Sequence, residues 1–456
     1  MLPDPHSAPF VAGKKTKINS FQVDKNRAEK VAQACPCPAA TRKGTALGYV
    51  LLDDLQAGMV LGDDLFTEKG QFVLAKGIEL EERHLQALRR FGILEVDIVG
   101  TSQSELDGGE LDPVLIEESV RFQQARFSLN DRDHEVVSEV FELACEQTAR
   151  RLQSGWKPAV ANLPETLGED LDWSNKPTSE DLVRGKVKLA SLPDVYSKIV
   201  EALNVPGCAA SHLAEIVSKD SSISVRLLKL VNSAFYSLTS KVDSISRAIT
   251  LLGTRELLSL ALGISIVRLF RTIPTELIDM EAFWKHSIRT GLFAQQLARR
   301  KGLEETEMFF VGGLLHDIGR LVMLVEMPEF YARALVTAQR EGVAIYQAER
   351  QELAYDHGQV GRMLGELWRL SRTLSQMIGW HHKPQGDRFS EETCIVHLAD
   401  FMAHSLGAET NLASSISPFN PRAWEVIDLP TNILAPASQH VERLFMDISR
   451  TFLEDD

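Results

Sequence analysis

Apolar and polar positions along the chain change their rhythm three times. Residues 47–100 carry short β-branched and Leu-rich runs separated by Gly-bearing turns, "GYVLLDDLQAGMVLGDDLFTEKGQFVLAKG", then a helical "EERHLQALRRFG" and a closing "ILEVDIV". This pattern predicts a small α+β module. In "VVSEVFELACEQTARRL", Val136, Val140, Leu143 and Ala144 fall on one side at helical spacing, which predicts an amphipathic connecting helix. Pro and Gly breaks between 155 and 185 follow, and the main domain boundary is placed there. From 186 to about 270 helices of ten to fifteen residues are punctuated by Pro193, Pro206-Gly207, Asp220-Ser221 and Gly253. The expected fold is mainly α: an all-α helical bundle at the C-terminus, preceded by the small α+β module. The expected organisation is 1–46 an arm, 47–100 the module, 101–185 a connecting helix and linker, 186–410 the main domain, and 411–456 a helical extension.

The longest uninterrupted apolar candidate, "LLSLALGISIV" (257–267), has eleven residues, short of the roughly 20 that a bilayer demands. No membrane span is expected. The first twenty residues are broken by prolines and lysines, unlike the apolar core of a secretory leader, which points to the cytoplasm. Five cysteines cannot frame a disulfide scaffold, and Cys35-Cys37 lacks a second pair to complete a zinc site.

Charge is unevenly spread. The chain carries −14 overall, yet residues 1–46 hold eight Lys/Arg against three Asp/Glu, a net +5, so the rest carries −19. The first segment reads as a flexible basic arm. A body of that charge repels phosphate backbones, so nucleic acid is not an expected partner.

Histidines then change the picture. Eight of the twelve lie between 286 and 440. His286 shares a helix face with Thr290, Phe293 and Leu297; His316 lines up with Phe309, Gly313 and Arg320, with Asp317 about 100° around the same apolar run. His357 follows Leu353 and precedes Val360 and Leu364, His381 follows Leu374 and Ile378 and is paired with His382, and Asp400 follows Val396. A lone buried histidine is usually a hydrogen-bonded core residue. Five of them with two aspartates need stronger compensation, and a divalent ion supplies it most directly. A His/Asp set without thiolate suits hydrolytic sites rather than structural ones.

The blocks "LASLPDVYSKIVEAL", "IVSKDSSISVRLLKLVNSAFY", "VDSISRAITLLGTRELLSLAL", "FWKHSIRTGLFAQQLA", "FVGGLLHDIGRLVM" and "IGWHHKP" together resemble the HDOD domain, the HD-related output domain of bacterial signalling proteins, over about 186 to 410. The stretch "LQAGMVLGDDLFTEKGQFVLAKGIEL" resembles the accessory domain found upstream of HD-GYP domains. The order His286, His316-Asp317, Asp400 is similar to the defining motif of HD metal-dependent phosphohydrolases. His357, His381 and His382 resemble the added ligands of HD-GYP phosphodiesterases. The resemblance implies one or two divalent ions (Fe, Mn, Zn or Ni) on these seven residues. If the pocket is active, Asp317 and Arg320 take the catalytic roles, Asp317 orienting water and Arg320 holding a phosphate oxygen; the alternative for Arg320 is an ordinary surface charge.

The departures matter too. "HHKPQGDRFSEETCIVHLAD" contains no Gly-Tyr-Pro, Asp400 follows His382 by only eighteen positions, position 282 is Ala, and Arg320 stands where Lys is usual. These place the chain with HDOD and against cyclic di-GMP hydrolysis. The expected function is regulatory, with signalling proteins as partners; a phosphohydrolase acting on a nucleotide or cyclic dinucleotide is the alternative. Asn232 is expected to cap a helix or bond a backbone carbonyl. Trp284 and Trp380 are expected to pack the core, and His397 and His404 stay outside the ligand set.

Overall fold

A computed structural model describes residues 47–51, 55–62, 65–66, 72–90 and 95–99, and most of 111–453. Short stretches at 159–162, 165–166, 169–170, 185–196, 199–200, 202–209, 234, 237–240, 271–276, 385–389 and 409–414 lie outside the description. The basic arm, Cys35-Cys37 and most of the "LASLPDVYSKIVEAL" block therefore also lie outside the described residues. The chain divides into two compact units, Met1–Asp107 and Gly108–Asp456.

In the first unit, β1 (Leu47–Leu51) pairs antiparallel with β4 (Glu95–Val99), and β2 (Leu65–Phe66) pairs with β3 (Phe72–Leu74). One helix, α1 (Glu82–Arg90), follows β3. It sends Leu85 and Leu88, three positions apart on one face, into a small core with Leu61, Leu80, Val96 and Ile98. The expected α+β character holds.

The second unit is helical throughout its described residues. Its helices are α2 (Pro113–Arg126), α3 (Glu135–Gln153), α4 (Ser179–Arg184), α5 (Ala210–Ser218), α6 (Ser221–Val231), α7 (Ile245–Leu252) and α8 (Thr254–Phe270). The chain continues through α9 (Met280–Arg300), α10 (Thr306–Leu315), α11 (Ile318–Glu326), α12 (Pro328–Glu341) and α13 (Ile345–Leu353). It ends with α14 (His357–Leu367), α15 (Arg372–Trp380), α16 (Glu391–Leu406), α17 (Pro421–Ile427) and α18 (Leu434–Leu453). Starts are set by side-chain caps: the Asp220 carboxylate accepts from Ile223 N at 3.0 Å, Asp279 from Glu281 N at 2.8 Å, and Asp356 from Gln359 N at 2.9 Å. Gly253 ends α7 at φ +102°, a conformation that glycine adopts without a side-chain clash. The Asn232 amide donates to Leu228 O at 2.7 Å and Val242 O at 2.8 Å and accepts from Val242 N at 2.7 Å, so it pins the following loop to the end of α6.

Two expectations about organisation differ from the structure. The helix expected to connect domains belongs to the bundle: Val136, Val140 and Ala144 are buried in the same core as the later helices, and Phe127 meets Phe401 of α16 edge to face at 5.9 Å. An amphipathic stripe reads alike on a connector and on a packed bundle helix, so periodicity alone could not separate them. The residues placed in a linker at 155–185 also dock. Leu182 and Val183 are buried, and Tyr355 Oη donates to Pro177 O at 2.7 Å. The chain instead divides between 107 and 108.

Residues Thr306–Glu326, interrupted by His316, Asp317 and Arg320, are the one segment among the described residues long and apolar enough to cross a bilayer by composition. An 18-residue window of it is 89% buried inside the bundle. The segment is the core of the unit, broken into α10 and α11 at the histidine-aspartate pair.

Candidate metal centre

His316-Asp317 does not lie within a continuous helix, as the sequence pattern suggested, but at the turn between α10 and α11. The break frees backbone carbonyls for side chains to use. His316 Nδ1–H donates to Gly313 O at 2.6 Å, and at the equivalent break after α15 His381 Nδ1–H donates to Ile378 O at 2.7 Å. A carbonyl can only accept, so each ring carries its proton on Nδ1 and turns Nε2 into the pocket.

Glycines let the supporting helices approach this closely. A Cβ on Gly313 would lie 2.7 Å from Thr290 O, and one on Gly319 would lie 2.0 Å from His357 O. Residues with side chains at these positions would push α10 from α9 and α11 from α14, separating His316 from His286 and Asp317 from His357.

All seven expected donors converge. Asp317 Oδ1 lies 3.0 Å from His357 Nε2, 3.7 Å from His316 Nε2 and 3.8 Å from His381 Nε2. Asp400 Oδ1 lies 3.1 Å from His286 Nε2 and 3.5 Å from His316 Nε2, while its Oδ2 is 3.8 Å from His382 Nδ1. Two neighbouring donor groups result, Asp317 with His357, His381 and His382, and Asp400 with His286 and His316, each with ligand atoms within 4.8 Å of one another. His357 Nε2 and His382 Nε2 face each other at 2.8 Å.

Arg320 is neither a surface charge nor a free phosphate-binding hand. It is buried, with Nη1 donating to Asp317 Oδ2 at 2.8 Å and Nε to Tyr331 Oη at 3.0 Å. This occupies one carboxylate oxygen and leaves Oδ1 to the histidines.

Sequence reasoning missed Glu349. This fully buried carboxylate on α13 accepts from His357 Nδ1 at 2.6 Å and from His357 N at 2.8 Å. A carboxylate on the far nitrogen of a ligating histidine fixes its tautomer and raises its basicity. The signal was present: Glu349 lies between Ile345 and Leu353 on one helix face, the same anomaly that marked the histidines. Tyr346, one turn earlier, stacks on His382 with ring centroids 4.5 Å apart. Trp284 is a core aromatic, whereas Trp380 is half-buried with the Arg362 guanidinium 5.9 Å over its face.

The electrostatics separate the histidines by role. Burial opposes a charge on Asp317, but His316, Arg320 and His357 outweigh it and hold the carboxyl well below the usual range. Burial likewise opposes a charge on Asp400, and the His286 and His316 imidazoles that face it overcome this and hold the carboxyl well below the usual range. His357, despite burial, is pushed up to about 10 by Glu349 and Asp317. His381 is pushed down to about 3 by burial and by the His316 and His357 charges. One decisive feature remains: His316 Nε2 and His381 Nε2 are buried with no hydrogen-bond partner. Unpaired polar atoms of this kind are costly, and a cation between them and the two carboxylates satisfies both. The residues present therefore fit a metal ion, bound through imidazole Nε2 and carboxylate oxygen.

This chain is similar to several known proteins. A structure from Shewanella amazonensis, described provisionally as a phosphohydrolase, is 21% identical and covers 61% of this chain and 99% of its own with a TM-score of 0.48. An HDOD domain protein of unknown function from Geobacter sulfurreducens is 22% identical, covering 70% of this chain and 100% of its own, also at 0.48. An uncharacterised protein of Treponema pallidum is 26% identical over 199 residues, which span 43% of this chain and 38% of that relative. The HDOD family model matches residues 189–384, a range that contains six of the seven donors and stops short of Asp400. Residues 189–384, within the helical unit, thus match an HDOD domain.

Proposed function

We propose that this chain is a signal-transduction protein whose HDOD domain holds one or two divalent ions on His286, His316, Asp317, His357, His381, His382 and Asp400, and uses that centre for regulation. The observation that carries the reading is the pair of buried Nε2 atoms on His316 and His381 that lack a hydrogen-bond partner, each ring fixed by a carbonyl and turned toward carboxylates 3.5–3.8 Å away. When bound, such an ion supplies Lewis acidity and a lowered pKa for coordinated water. Arg320 holds Asp317 by one oxygen, Glu349 holds His357, and Tyr346 holds the plane of His382.

Signalling proteins are the proposed partners, with a nucleotide or cyclic dinucleotide as the small-molecule candidate. A cytoplasmic setting is supported by Cys394, a buried free thiol. The test is metal content per chain by inductively coupled plasma mass spectrometry, on wild type beside His316→Ala/Asp317→Ala. One or two Fe, Mn, Zn or Ni in wild type and none in the variant support the reading; two empty proteins overturn it.

A second reading, phosphodiester hydrolysis, is favoured by one observation. His316 lies between the two donor groups, 3.7 Å from Asp317 and 3.5 Å from Asp400, an arrangement that suits two ions side by side. Release of nitrophenol from bis(p-nitrophenyl) phosphate by metal-loaded protein, absent in the double variant, would move the assignment to an enzyme.

A further inference from the structure

His381 and His382 occupy a turn after α15, so helical hydrogen bonding does not hold them from the C-terminal side. The structure holds the turn by other means. His397 Nδ1–H, from α16, donates to the His381 carbonyl at 2.5 Å, and Asn420 Nδ2 donates to the Pro384 carbonyl at 3.1 Å. His397 is itself held: its Nε2 accepts from Asn420 N at 2.9 Å, and its ring stacks on Phe419, centroids 5.3 Å apart and 12° from parallel. The 416–419 segment is gripped in turn by Asn130, whose Nδ2 donates to Ile416 O at 3.1 Å and whose Oδ1 accepts from Phe419 N at 2.8 Å. Asn130 lies between α2 and α3, so an unbroken chain of bonds runs from that helical hairpin to the histidine pair.

His397 is buried and spends both ring nitrogens on backbone groups, not on the donor cluster. A leucine would fill the volume equally well; the imidazole is needed for what it holds. Resting on the metal reading above, we propose that His397 is a positioning residue that sets the place of His381 and His382, with Asn420 and Asn130 as its anchors to the α2–α3 hairpin. Movement at the hairpin would then alter the metal centre through this strut.

The test uses the full chain loaded with Co(II), read by its d–d absorption and by competition with a chelator. His397→Leu is expected to weaken Co(II) binding about 10–100-fold and to shift the absorption bands, as losses of supporting groups around metal ligands do. His397→Gln, which can still donate to His381 O and accept from Asn420 N, is expected to restore most of the affinity. Asn420→Asp keeps the cap on Arg422 N, loses the donor to Pro384 O and sets a carboxylate oxygen against that carbonyl, so it carries the test if His397→Leu fails to fold; a several-fold loss is expected. A folded His397→Leu or Asn420→Asp with wild-type affinity and spectrum overturns the positioning role while leaving the metal reading intact. Wild type that takes up no cobalt overturns both.

Discussion

The two ends of the donor cluster are built differently. At the Asp317 end, His357 and His381 are fully buried, Asp317 is tied to Arg320, and His357 is tied to Glu349. At the Asp400 end, His316 is fully buried too, but His286 keeps 12% of its side chain exposed, and His382 of the Asp317 group, where it faces Asp400, keeps 10%. Among the described residues, neither of those two rings has a second carboxylate behind it. On the metal reading proposed above, the difference separates holding from exchange: buried, braced ligands would retain an ion, while partly exposed ones would admit water, a second ion or a ligand.

The largest effect should come from cutting the buried end. Asp317→Ala leaves the Arg320 guanidinium buried without its carboxylate, and removal of one partner of such a pair costs about 3–5 kcal/mol. Chemical denaturation should show that loss together with loss of all bound metal. If the variant retains both stability and metal, the Asp317 end is not the anchor.

Glu349→Gln is the next test, because the amide keeps the shape and loses the charge behind His357. Metal affinity is expected to fall about 10–100-fold with circular dichroism unchanged. His286→Ala should act at the other end alone, lowering metal per chain toward one without emptying the site, and changing the unfolding midpoint little. Equal metal loss in His286→Ala and Asp317→Ala would erase the distinction between the ends.

The smallest effect lies away from both. His440, half-buried on α18, is pushed down to about 4 by burial and by Arg299, Arg300 and Arg443. Its folded-state value is below the unfolded one, near 6.5. The unfolded chain therefore takes up a proton first as pH falls, and stability drops between about 6.5 and about 4. After allowance for solvent screening this amounts to about 1 kcal/mol. His440→Gln should flatten the melting temperature across that window; an unchanged slope would remove His440 from the account.

Much of the site was readable in the sequence because each donor violates an apolar stripe at a regular helical step. His316 among Phe309 and Gly313, and Asp400 after Val396, are polar groups where burial is dictated by their neighbours. What the pattern could not convey was the break at His316-Asp317, since an apolar run continues across it while the backbone does not. Arg320 was misjudged for a related reason: its partner, Asp317, is three positions away in sequence, but its burial depends on α12, which supplies Tyr331. Glu349 and His397 act through other residues, so only the assembled fold shows what they hold. That helix α3 packs its stripe on α16, more than 230 positions later, was not legible either, because periodicity carries no partner information.

The most direct measurement is anomalous diffraction from a crystal of the full chain grown after metal loading, collected on both sides of the metal edge. The account predicts an anomalous peak about 2.0–2.3 Å from the Nε2 atoms of His316, His357 and His381 or from Asp317 Oδ1. Density without an anomalous peak, with ordered water bonded to the His316 and His381 Nε2 atoms, would contradict it and reduce the cluster to a hydrated, hydrogen-bonded core.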